Sequence, residues 1–153
     1  MPPMACDPSR MDSSYAARVA FVVELAEHLH AYGTTTQRLE LAIVAVSQRL
    51  GLECEPWTNP TGMILSFSDP FLPLGTSDTT RVLRLAPGET DLGRLGEADR
   101  IAESVLAGTT GLSEGQAALD RLARAPGPRQ RGLEMVGFGV VAAAAAALLR
   151  LPW

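Results

Sequence analysis

The chain has 153 residues, of which 46% are hydrophobic and 20% charged. That composition excludes a disordered chain and suits one domain with a real core. The net charge is −4 and all thirteen basic residues are arginines, so there is no basic footprint for nucleic acid. Cys6 and Cys54 form neither a disulfide framework nor a CxxC site.

The first thirteen residues, "MPPMACDPSRMDS", lack the basic and apolar regions of a secretory signal and read as a disordered leader. Structure is expected from residue 14. In "SYAARVAFVVELAEHLHAY", Val19, Val22, Val23, Ala26 and Leu29 recur at helical spacing. Arg18, Glu24, Glu27 and His28 are left mainly for the solvent side. Gly33 stands where a left-handed C-cap residue is wanted. Thr34 with Gln37 three residues on has the pattern of a capping box. Leu39, Ile43, Val46 and Leu50 then carry a second helix, which Gly51 ends. With Ala42, Val44 and Ala45 it is apolar nearly all round, so it is expected to be the most buried. The short connection predicts an antiparallel pair.

Beyond Gly51 the period changes to two. "LECEPWT" places Leu52, Cys54 and Pro56 on one side of an extended segment, and proline confines it to a sheet edge. "NPTG" is turn chemistry. "MILSFS" alternates with Met63, Leu65 and Phe67 on one face, and "TRVLRLA" puts Leu83 and Leu85 together. Strands without helical crossovers predict a small antiparallel three-stranded sheet.

Asp91 is a good N-cap for a third helix with the stripe Leu92, Leu95, Ala98, Ala102 and Val105. Ser113 and Gln116 have capping-box spacing for a fourth, which Pro126 stops. The predicted class is therefore α+β: a domain over 14–125, a linker over 126–131, and an apolar helix over 132–153. The uncharged run from Met135 to Leu149 spans roughly 22 Å as a helix, against about 30 Å for a bilayer core. Its six consecutive alanines add little drive for insertion. Arg124, Arg129 and Arg131 before the run, against Arg150 after it, would hold the preceding domain in the cytoplasm. Gly139 and Ala143 have small-xxx-small spacing suited to close packing with other membrane helices. A soluble alanine-rich helix covering the sheet is the competing reading.

Catalytic chemistry has no clear signature. His28 and His30 are not a metal-binding pair, and there is no GxSxG, Walker loop or GxGxxG. No catalytic residue, metal or cofactor is expected. Arg38 and Glu40 are the polar residues of interest, because they project about 200° apart from an apolar helix and each needs its own partner. Arg81 and Arg84 are candidates to meet acids such as Glu40. Convergence of Arg38, Glu40 and Arg81 in one cleft would make a small hydrolase acting on amino-acid derivatives.

The order of segments resembles a known family. "AYGTTTQRLELAIVAVSQRLGL" is similar to the first motif of the threonine/serine exporter family: Gly, a few residues, Arg, one residue, Glu, then an apolar helix ending in Gly-Leu. "NPTGMILSF" resembles its strand motif. "TRVLRL" and "DLGRLGEADRIAESVLAGTTGLSEGQAALDRLARAP" resemble the next strand and the helices before the membrane part. The resemblance covers about residues 15 to 149; no single motif is specific, and the ordered set carries it. Gly33, Arg38 and Glu40 match the first motif, and Thr61 and Arg81 match the strand motifs, without an assigned chemical role.

The resemblance implies a cytoplasmic N-terminal domain at the inner (plasma) membrane, with a regulatory, gating or assembly role in export of threonine, serine or small carboxylates. The implied partner is a membrane-helix bundle, supplied by another subunit or missing from this chain, since a transport path needs several helices. A homo-oligomer is the other expected assembly. A soluble α+β interaction module is the remaining alternative.

Overall fold

Ser14 opens the first helix, α1 (Tyr15–Ala31), its hydroxyl accepting the Ala17 N–H at 3.2 Å. The computed structural model describes residues 14–73, 78–86 and 91–124 and, nearer the C-terminus, 136, 137, 139–141 and 144. After α1 come α2 (Thr36–Arg49), the strands β1 (Glu53–Asn59), β2 (Gly62–Ser68) and β3 (Thr79–Arg84), then α3 (Leu92–Leu106) and α4 (Leu112–Ala123). The α+β class and the order of elements are those expected.

Gly33 closes α1 in a Schellman motif. Its φ is 85°, its N–H reaches the His30 carbonyl, and the Thr34 N–H reaches the Leu29 carbonyl, both at 3.1 Å. A side chain would be strained at that φ. The next helix does not use the expected capping box. Thr35 is its N-cap and makes no side-chain cap bond, while the Thr34 hydroxyl is buried without a partner. The α1 closure takes up the Thr34 backbone, so the cap falls one residue later.

The sheet is antiparallel in the order β1-β2-β3. Met63, Leu65 and Phe67 of β2 are buried under the helices. They join Phe21, Leu25 and Leu29 of α1, Leu39 and Ile43 of α2, Ala98 and Ile101 of α3, and Leu119 of α4 in one core. Each large side chain so buried contributes about 1.5–3 kcal/mol. On the outer face, Trp57, Ile64 and Val82 lie side by side across the three strands and are exposed.

The most buried helix is α1, not α2. It packs against each of the other three helices, and seven of its residues are buried, against four in α2. The uniform apolarity of α2 does not translate into burial, because Leu41 is 66% exposed. The fourth helix also departs from expectation at its start. It begins at Leu112, and Gln116 donates to Glu24 of α1 instead of folding back on the cap. Gly115 explains how α4 comes so near: a Cβ there would lie 3.1 Å from Phe21 and from Val105.

The chain divides into two compact units, Met1–Ala123 and Arg124–Trp153. In the second unit the described residues from 136 onward are helical, and Val136, Val140 and Val141 are exposed. Among the described residues no helix is long and apolar enough to cross a membrane. The expected leader over 1–13, the linker over 126–131 and most of the apolar segment over 132–153 lie outside the described residues.

Candidate functional site

The five motif positions fall into separate places, each with its own surroundings. Gly33 acts through its backbone at the α1–α2 corner. Arg38 projects from α2 and its Nη2 meets Asp99 of α3 at 2.6 Å. That pair is exposed on the arginine side, so it is worth little in isolation.

Glu40 turns toward the sheet. Its Oε1 accepts both the backbone N–H of Thr58 at 3.1 Å and the Thr58 hydroxyl at 2.9 Å. The amide faces away from β2, on the open side of β1. Pro56, two residues earlier, lacks an N–H on that same side, where no ladder bond is needed. Glu40 therefore satisfies an edge donor that the sheet leaves over.

Thr61 sits in the two-residue loop of the β1–β2 hairpin. Its N–H and hydroxyl both donate to Asn59 Oδ1, at 2.8 and 3.0 Å, which fixes the turn from within. Its carbonyl accepts the Leu85 N–H at 3.0 Å, tying the hairpin to the end of β3.

Arg81 lies opposite Leu65 in the register, so it is on the helix-facing side of the edge strand β3. There it faces a second stripe of α1: Ala20, Val23, Glu24 and Glu27, at spacings of three, four and seven, with His28 beside them. These residues, with Leu83 and Ala123, line a cavity of about 510 Å³. The Arg81 guanidinium has no hydrogen-bond or ion-pair partner among the described residues, and neither does the Glu27 carboxylate. Glu24 is anchored by Gln116 and lies 3.8 Å from His28 Nε2, too far for a hydrogen bond. The His28 ring is stacked on Tyr32, whose hydroxyl is 3.3 Å from Nδ1. Its Nε2 is buried without a hydrogen-bond partner.

The three residues on which a hydrolase cleft depended thus do not converge. Arg38 is paired with Asp99, Glu40 with Thr58, and Arg81 opens into the α1–β3 cavity. Among the described residues no group of three or more His, Cys, Asp or Glu could hold a metal ion.

Sequence reasoning missed one polar junction altogether. Arg18, assigned to the solvent side of α1, is buried. Its Nη2 meets Asp69 Oδ2 at 2.6 Å and its Nη1 donates to the Leu50 carbonyl at 3.0 Å. Asp69 Oδ1 accepts the Phe71 N–H at 2.9 Å. One guanidinium thereby joins α1, the end of α2 and the turn after β2. The available signal was "SDP", a turn-initiating aspartate directly after an apolar strand.

Cys54 points from β1 into the helix-facing side, half-buried. Burial pushes its thiol from 9.0 up to about 11, opposed by the nearby Ser47 hydroxyl and assisted by the charge of Glu55. In a Cys6→Ser background, iodoacetamide should alkylate Cys54 at pH 8 about a hundredfold more slowly in the folded chain than in urea. The raised folded value also fixes a sign. The thiol's contribution to stability is complete below 9.0 and is lost as pH rises toward about 11. A Cys54→Ala chain should lack that alkaline decline in a urea titration.

Comparison with protein families supplies the context for these positions. A family model described as "Putative threonine/serine exporter" matches residues 20–153. Comparisons with curated proteins and with solved structures gave no match. The match runs from within α1 through all the remaining elements and the apolar segment, well over half of the chain, and so the chain belongs to the threonine/serine exporter family of transport proteins.

Proposed function

We propose that residues 14–124 form the cytoplasmic domain of a threonine/serine exporter-type transport system and serve its gating, regulation or assembly. The apolar segment over 132–153 joins this domain to a bundle of membrane helices, whichever polypeptide carries the bundle. The observation that carries the reading is the family match across residues 20–153, which takes in the folded domain and the apolar segment together. The arginine imbalance around that segment supports the orientation: Arg124, Arg129 and Arg131 precede it and Arg150 follows. The transported class is a small amino acid, threonine or serine by the family's description, or another small carboxylate.

Fractionation tests the membrane part of this reading. The full chain should sediment with membranes and resist a high-salt wash, whereas a chain shortened before Gly132 should stay in the supernatant. A full chain that is soluble and monodisperse without detergent would overturn it. Amino-acid efflux from cells expressing the membrane bundle, with and without residues 14–124, tests the gating role. Unchanged efflux would remove it.

A further inference from the structure

We infer that the cavity between α1 and β3 is a binding site for a free, small α-amino acid in its zwitterionic form. The inference rests on the exporter-domain reading for its biological sense, because a cytoplasmic domain that binds the exported class of molecule can report its concentration.

Two features of the cavity set the chemistry. On one side stands Arg81, a guanidinium without a partner among the described residues, and on the other stands the α1 stripe with Glu24 and Glu27. An α-amino acid carries both charges on one carbon. Its carboxylate matches the planar guanidinium, which offers paired donors. Its ammonium matches the acids, of which Glu27 is uncommitted while Glu24 is fixed in place by Gln116.

His28 completes the α1 side of the cavity, its Nδ1 against the Tyr32 hydroxyl and its Nε2 turned to Glu24 at 3.8 Å. Ala20, Val23 and Leu83 provide an apolar wall for a short side chain. The volume, about 510 Å³, lies within the range of about 300–1,000 Å³ usual for small-molecule sites. Neither a lone cation nor a lone anion would use both sides of this cavity.

Calorimetry on the purified full chain tests the site, with L-threonine and L-alanine as probes beside their methyl esters and N-acetyl derivatives. Both amino acids should bind, and each derivative, having lost one charge, should bind about ten- to a hundredfold more weakly. Arg81→Met and Glu27→Gln should each weaken binding of the free amino acids by a similar factor. Arg84→Met, on the opposite face of β3, should leave binding unchanged and shows that the strand tolerates loss of an arginine. Absence of binding by either amino acid, equal binding of the methyl esters, or unchanged binding by Arg81→Met would each overturn the site. Failure here is distinguishable from failure of the exporter-domain reading. A chain that binds no amino acid yet sediments with membranes loses only this site. A chain that binds but needs no apolar segment for its location loses only the membrane attachment.

Discussion

Arg18→Met should lower the stability of the folded domain by about 3–5 kcal/mol, the largest effect expected of any single polar substitution in this chain. The methionine fills much of the same volume, so the loss is not mainly a cavity. It comes from Asp69, which is 5% exposed and would lose the guanidinium 2.6 Å from its carboxylate. Carbonyls at the end of α2 lose their donor at the same time. Urea unfolding followed by circular dichroism would show the midpoint fall. Arg18→Met combined with Asp69→Leu should recover a large part of the loss, because the double variant removes the buried carboxylate as well. If the single substitution costs under about 1 kcal/mol, the pair behaves as a solvated one and the junction is not structural.

Gly62→Val should be the second large effect. A Cβ at Gly62 would stand 2.5 Å from the Leu83 carbonyl oxygen, a backbone atom of β3 that cannot swing aside. Valine is otherwise well suited to a strand, so intrinsic preference alone would favour the change. Steric crowding decides the sign, at about 1–3 kcal/mol of destabilisation, and the strain falls on the β2–β3 pairing that holds Arg81 in place. Hydrogen exchange should show faster opening of β3 amides than of α1 amides. Valine tolerated without change in either would mean that β3 is free to shift.

Local patterns in the sequence made most of the elements legible. Met63, Leu65 and Phe67 face the core as their alternation required, Asp91 caps α3 by accepting the Arg94 N–H at 3.0 Å, and "NPTG" makes the hairpin. The failures share a cause: they concern side chains whose partners are distant in the chain. Arg18 has the spacing of a surface residue, but its partner is 51 positions away. Gln116 has the spacing of a cap, but a partner 92 positions away claims it. The relative burial of α1 and α2 was likewise invisible, because apolar content does not reveal how many neighbours surround a helix. Of the candidate site, the residues were legible and the grouping was not. Glu40 and Arg81 looked like a charge pair, and only the strand register separates them.

The bond from Glu40 to Thr58 reaches beyond its own corner. An open strand edge is a template on which another polypeptide can add a strand. Along β1 that template is spoiled twice, by a proline that offers no donor and by an amide already occupied by Glu40. The opposite border carries no such obstruction in its sequence, "TTRVLR". A strand recruited from outside is therefore disfavoured at β1, and among the described residues the border left to it is that of β3, next to the arginine that faces α1.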